Sequence, residues 1–280
     1  MINSKLLFRR LLGQLTMEGD RNEKEAVLYL VLEHHYHLSR TDVMREREIL
    51  VDNSVLDEVI ARLNKNEPVQ YVLGEADFYG RTFFVDSAVL IPRPETELLI
   101  RKAIEYIGQF KKPPVIVDVG TGSGCIAITL ALEFLTATVN ATDISEQALV
   151  VAKKNAKCLK ANVHFHKHDI LKSSFDFGPI DILVSNPPYI TEIEKTAMHK
   201  NVIEYEPLSA LFVPQNDPLL FFIALAEQGK KSLAAGGILI TEINERFGRE
   251  TVSLYQKIGY KNVMVEKDFD GKDRVVMGVC

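Results

Sequence analysis

Cysteine is scarce in this chain. Cys125, Cys158 and Cys280 are odd in number and widely spaced, which argues against a disulfide framework or a zinc-ligand set and for a reducing compartment. Tryptophan is missing altogether. No apolar run approaches the length needed to span a bilayer, so no membrane partner is expected, and there are no internal repeats or low-complexity segments. A basic excess is missing too. The net charge is −5, and the first 75 residues carry more Asp and Glu than Lys and Arg. An extensive grip on duplex phosphates is therefore disfavoured, and no stable nucleic-acid binding is expected. What remains, 46% hydrophobic and 25% charged over 280 residues, suits an ordinary globular protein long enough for two domains.

The first seventeen residues carry Lys5, Arg9 and Arg10 among leucines and no acid, as an organelle presequence can. Their helical period runs on into the next segment, which fits the first helix of a bundle better, so a cytoplasmic location is expected. Apolar residues recur at helical spacing through Leu7, Leu11 and Leu15, then Leu28 and Val31, then Val55, Val59 and Leu63. Thr41 or Asp42, and Asn53 or Ser54, are the expected N-caps. His34, His35 and His37 lack a matching carboxylate or cysteine set and read as surface or packing histidines. Residues 1–70 are thus expected to form a small helical docking domain.

Residues 71–92 change in texture. Tyr71-Val72-Leu73, Phe78-Tyr79-Gly80, Thr82-Phe83-Phe84-Val85 and Val89-Leu90-Ile91 are aromatic and β-branched runs broken by Gly80 and Asp86-Ser87, the pattern of a β-hairpin connector. From residue 93 to 280 strand and helix alternate. Strands are predicted at Val115–Val119, Val139–Asp143, Val163–His166, Ile180–Ser185, Gly237–Ile243, Val263–Glu266 and Val275–Val279. Helices are predicted over 124–135, 146–158, 218–233 and 247–258. Such alternation predicts a parallel sheet covered on both faces, with a ligand at the carboxyl ends of the strands. Asp270-Gly271 predicts that the last two strands are antiparallel.

The chemistry-bearing residues cluster at those strand ends. Asp118-Val119-Gly120-Thr121-Gly122-Ser123-Gly124 ends the first strand and opens a helix, and glycines there let a backbone come close to a ligand. A nicotinamide fingerprint needs glycine where Cys125 stands, and a P-loop needs a Lys-Ser/Thr that is missing. Asp143 and Asp169 follow the second and third strands. Each alone is an ordinary loop carboxylate or helix cap; both in order after the glycine loop make that reading unattractive, and Asp143 stands where a carboxylate can accept ribose hydroxyls. His164, His166 and His168 alternate without partner ligands and read as surface histidines, so no metal is expected. Val184-Ser185-Asn186-Pro187-Pro188-Tyr189 ends the fourth strand. Its prolines stiffen the backbone and remove N–H donors. Taken alone, the stretch is either a strand-ending turn or a rigid site for a planar NH₂ group.

The Asp-x-Gly-x-Gly-x-Gly loop resembles the cofactor loop of S-adenosylmethionine-dependent methyltransferases. Asn186-Pro187-Pro188-Tyr189 resembles the motif shared by adenine-N6 DNA methyltransferases and protein-glutamine methyltransferases. Gln70-Tyr71-Val72-Leu73-Gly74, Ile91-Pro92-Arg93-Pro94-Glu95-Thr96-Glu97, Tyr205-Glu206-Pro207-Leu208 and Asp270-Gly271-Lys272-Asp273-Arg274 are similar to the peptide-chain release factor N5-glutamine methyltransferases, the HemK/PrmC type. The resemblance implies a Rossmann-like class I methyltransferase domain, an α/β fold with a seven-stranded mixed sheet, behind the helical bundle and hairpin. It implies methyl transfer from S-adenosylmethionine, leaving S-adenosylhomocysteine, to the glutamine of the Gly-Gly-Gln motif in class-1 release factors. Asp118, Gly120, Thr121, Gly122, Ser123, Gly124, Asp143, Asp169, Ile170 and Asn186 would hold the cofactor. Asn186, Pro187, Pro188 and Tyr189 would hold the substrate, with Asn186, Pro187 and Tyr189 also catalytic. A monomer is expected. The chain departs from the family in having Ile170 where Trp is frequent, Tyr79 in place of Trp, and Asn244 in place of Gly. An adenine-N6 methyltransferase acting on DNA or RNA, and an inactive cofactor-binding scaffold, are the alternatives.

Overall fold

The computed structural model describes residues 1–280 apart from Gln109, Lys111, Asp176 and the side chain of Ala197. Two units emerge: Met1–Glu75 with His199–Tyr205, and Ala76–Met198 with Glu206–Cys280.

In the first unit a two-residue strand, β1 (Ile2–Asn3), pairs with β2 (Glu48–Ile49) around α1 (Ser4–Gln14), α2 (Arg21–Tyr36) and α3 (Arg40–Met44). The helices α4 (Asn53–Leu63) and α5 (Val69–Leu73) follow. The leucine periodicity closes one core through Leu7, Leu11, Leu28, Leu32, Leu56 and Leu63. Two caps sit earlier than expected. Ser39 and Asp42 form a reciprocal capping box on α3, and Asp52 accepts from the Ser54 N–H on α4. The stretch Tyr71-Val72-Leu73, expected to be extended, is helical. Pro68 opens α5, Gly74 closes it with φ +75°, and Arg62 bonds the Tyr71 and Val72 carbonyls. Burial of Val69 and Val72 in the helical core outweighs their strand propensity. His34 meets the Glu75 carboxylate through Nδ1, a partner beyond the reach of sequence neighbours. The returning segment contains α9 (Lys200–Tyr205), whose Lys200 pairs with Glu18 at 2.9 Å and whose Tyr205 hydroxyl donates to the Lys65 carbonyl.

In the second unit β3 (Glu75–Phe78) and β4 (Arg81–Phe84) form the predicted hairpin through Tyr79 and Gly80, both at positive φ. Phe78 and Phe83 are buried in the core of this unit. The strands β5 (Val115–Val119), β6 (Thr138–Asp143), β7 (His164–Lys167), β8 (Ile180–Ser185), β9 (Leu233–Glu242), β10 (Lys261–Lys267) and β11 (Asp273–Val279) make one sheet. Its order is β10-β11-β9-β8-β5-β6-β7, parallel except that β11 runs against both its neighbours. The last hairpin is therefore antiparallel, as Asp270-Gly271 predicts. Covering helices are α6 (Glu97–Ile107), α7 (Cys125–Glu133), α8 (Glu146–Leu159), α10 (Leu220–Ser232) and α11 (Gly248–Ile258). All six residues of β8 are buried, which is why the run Ile180-Asp181-Ile182-Leu183-Val184 is nearly all apolar rather than alternating. The carboxyl ends of β5, β6 and β8 carry the acidic and amide residues singled out above, and the strand order reverses between β5 and β8, where such sheets bind ligands. Among the described residues no helix is long and apolar enough to cross a membrane.

Candidate active site

The glycine loop sits between β5 and α7. Gly120, Gly122 and Gly124 have φ of +72°, +54° and +83°, a region costly to any residue with a Cβ. Their tasks differ. A Cβ on Gly122 would meet nothing within 4 Å, whereas one on Gly124 would stand 2.8 Å from Ile128 Cδ1 and 3.1 Å from Ala152 Cβ. Gly122 thus shapes the loop, and Gly124 lets α7 pack on α8. Asn155 of α8 ties the loop to the hairpin. Its amide donates to the Ser123 and Phe84 carbonyls, and its oxygen accepts the Phe84 N–H.

Asp118 lies wholly buried beneath the loop. One carboxylate oxygen accepts the Thr121 hydroxyl at 2.6 Å, and the Ala127 N–H at the start of α7 also favours the charged form. Burial pushes this carboxyl up to about 7. Asp143, ending β6, accepts the Gly122 N–H through one oxygen and the Ser145 N–H through the other, each at 2.9 Å. Burial raises it as well. Asp169 accepts the Leu171 N–H at 3.0 Å and meets Lys172 Nζ at 2.9 Å; the lysine holds it below the usual carboxylate range. Ile170 beside it is buried in the apolar core.

Across from these groups stands Asn186, past the end of β8. Its Nδ2 donates to Thr96 Oγ1 at 3.2 Å. Thr96 donates in turn to Glu242 Oε2 at 2.6 Å, and the Tyr189 hydroxyl donates to Glu242 Oε1 at 2.9 Å. Glu242 ends β9 and is buried. Burial raises its carboxyl, opposed by the two hydroxyls and by the Arg274 charge. Asn244, where the resemblance expects glycine, bonds Glu194 through Nδ2 and, at 3.4 Å, the Tyr189 carbonyl. Glu206, also buried, accepts from Arg93 at 2.6 Å and from the Ile91 N–H at 3.3 Å, pinning Ile-Pro-Arg-Pro to Glu-Pro.

These groups surround one cavity of about 610 Å³. Gly120, Thr121, Gly122, Ser123, Asp143, Asp169, Ile170, Asn186, Pro187 and Pro188 line it, as do Arg93, Thr96 and His168. Three expected residues do not. Asp118 lies under the loop, Gly124 serves packing, and Tyr189 turns its hydroxyl to Glu242 instead of offering its ring to the cavity. His168 was expected on the surface, yet it lines the cavity and stacks on Phe175 at 5.1 Å. Sequence pattern does not mark Thr96 or Glu242 as site residues. Glu242 nonetheless carried a signal, being one more acid at the carboxyl end of a central strand.

A wall with glycines, two carboxylates and Ile170 fits the sugar and base of a nucleoside cofactor such as S-adenosylmethionine. The volume lies within the usual range for ligand pockets. Residues 96–207 match the family model described as Methyltransferase small domain, and residues 7–74 match PrmC N-terminal domain. A release factor glutamine methyltransferase from Flavobacterium psychrophilum is 41% identical over 263 residues, 92% of each chain. The chain belongs to the release factor glutamine methyltransferase family. Family proteins of the same name from Bacteroides thetaiotaomicron and Bacillus anthracis are 46% identical over 79% of each chain and 39% identical over 92% of each chain. Among solved structures, a methyltransferase from Pyrococcus furiosus superposes with a TM-score of 0.50 at 19% identity. It covers 78% of this chain and 96% of its own, a likeness of fold alone. The α/β class I methyltransferase fold expected from the sequence is therefore the fold observed.

Proposed function

We propose that this chain methylates the side-chain nitrogen (N5) of the glutamine in the Gly-Gly-Gln motif of class-1 peptide-chain release factors. The carrying observation is the Asn186 amide, held by Thr96 at the edge of a cavity that also contains the glycine loop. S-adenosylmethionine, when bound, supplies the activated methyl group. Gly120 to Ser123 would face its amino-acid end, Asp143 its ribose hydroxyls, and Asp169 with Ile170 its adenine. Asp118 and Gly124 act on the loop's shape.

An amide nitrogen is a poor nucleophile because its lone pair is delocalised into the carbonyl. Asn186 Oδ1 and the Pro187 carbonyl are the two acceptors proposed for the substrate's N–H groups. Among the described residues no backbone N–H outside the regular helices and strands bonds the Pro187 carbonyl. Two acceptors at fixed positions orient the nitrogen and favour the charge distribution in which it attacks. The N–H becomes strongly acidic as the nitrogen bonds to carbon, so no strong base is required beforehand. Orientation and preorganised dipoles then carry the catalysis. Tyr189 contributes through Glu242 rather than by touching the amide.

Residues 1–70 would dock the release factor and residues 71–92 would join that module to the catalytic domain of 93–280. The bacterial relatives support a cytoplasmic location, and the acidic balance supports a protein acceptor over nucleic acid. Incubation with methyl-labelled cofactor, a release factor and DNA tests the reading. Label on the release factor is the expected result; label on DNA, or on neither, would overturn it.

A further inference from the structure

The Asn186 side chain has two ends, and only one suits the reaction. An oxygen facing the substrate amide accepts its N–H; an NH₂ group there would meet the attacking nitrogen donor to donor. The two ends have nearly the same shape, so packing alone does not choose between them. Hydrogen bonding does.

Thr96 has one hydroxyl proton. Both its neighbours on this side are fixed: Glu242 Oε2 at 2.6 Å and Asn186 at 3.2 Å. An ionised Glu242, with the Arg274 charge beside it, offers only acceptors, and its other oxygen takes the Tyr189 hydroxyl at 2.9 Å. The Thr96 proton therefore goes to Glu242, leaving lone pairs toward Asn186. Only the Nδ2 end of Asn186 can satisfy them, and Oδ1 is left without a side-chain or backbone partner among the described residues.

We propose that Glu242, acting through Thr96, sets the polarity of the Asn186 amide and so keeps Oδ1 toward the acceptor nitrogen. Glu242 and Thr96 are positioning residues, not catalytic ones. Tyr189 completes the device by occupying the second Glu242 oxygen. The inference rests on the reading of Asn186 as acceptor for the substrate amide.

Glu242→Gln is the sharpest test, because it keeps the shape and adds an NH₂ group. When that group points at Thr96, the hydroxyl accepts, its proton turns to Asn186, and the amide flips. Four quantities are measured on the full chain: turnover number, KM for the release factor, cofactor Kd and Tm. The expected result is a turnover loss of about tenfold or more, below the ~100-fold cost of losing a direct transition-state partner. Cofactor Kd should stay within about twofold and Tm within a few degrees, since Arg274 keeps its Asp268 partner. Thr96→Val should lose turnover alike, and Thr96→Ser, which keeps the hydroxyl, should recover most of it.

Coupling gives the readout that a merely structural role would not move. In an Asn186→Ala background Glu242→Gln should cost almost nothing further, because no amide remains to orient. Wild-type turnover in Glu242→Gln or Thr96→Val beside a crippled Asn186→Ala would overturn the inference alone. An undiminished effect of Glu242→Gln in the Asn186→Ala background would overturn it as well. Wild-type turnover in Asn186→Ala would instead sink the assignment of Asn186 on which it rests.

Discussion

On the glycine-loop side of the cavity the two lining carboxylates each accept backbone N–H groups, none more than 21 residues away in the chain. Asp143 takes the N–H groups of Gly122 and Ser145, and Asp169 that of Leu171. On the Asn186 side the groups hold one another through side chains. Asn186 bonds Thr96, which is 90 residues away; Thr96 and Tyr189 bond Glu242 across 146 and 53 residues. Backbone donors are fixed by the fold and tolerate change nearby. A chain of side-chain bonds has a direction, and one wrong link reverses it. The first side suits holding a ligand in place and the second suits aiming a reacting group.

Changes on the two sides should therefore fail differently. The largest effect is expected from Asn186→Ala, whose turnover should fall by about 100-fold or more, roughly 3 kcal/mol of transition-state stabilisation. Next comes Gly124→Val. Its side chain would collide with Ile128 and Ala152 at a positive φ, so unfolding by urea should show a loss of about 2–4 kcal/mol.

Asp118 gives a pH test on the glycine-loop side. Its folded pKa is raised from 3.8 to about 7, so the folded state holds the proton to higher pH than the unfolded chain. That contribution to stability is complete below about 4 and is lost as pH rises through about 7. The Tm of the cofactor-free protein should fall over this window relative to Asp118→Asn; parallel Tm curves for the two would count against the assignment. Smallest should be Gly122→Ala, where the added Cβ meets open space and only the φ of +54° is unfavourable. Unfolding by urea should show a loss of about 1 kcal/mol.

The same contrast explains what could be read without coordinates. Strand periodicity and turn residues located all seven strands of the large sheet to within a few residues. The glycine loop and the acids after it were legible because each lies within one β-α connection. Thr96 and Glu242 were not, although one lies in Ile91–Glu97 and the other in a predicted strand, because their pairing depends on which distant strand ends become neighbours. Asp118 and Gly124 show the converse limit. Their positions in the motif were visible, but burial and helix packing decide that they face inward. Tyr71 to Leu73 are helical despite a strand-like composition for a related reason: Tyr71 and Val72 are buried, and Arg62 satisfies their carbonyls.

The division of labour is tested most directly by measuring two quantities, cofactor Kd and turnover at saturating cofactor, on Asp143→Asn and Asn186→Ala. Asp143→Asn should weaken cofactor binding by about tenfold, the scale of a hydrogen bond to a charged group, and keep most of its saturated turnover. Asn186→Ala should lose turnover far more than cofactor affinity. Equal losses in both quantities for both variants would contradict the separation of a holding side from an aiming side.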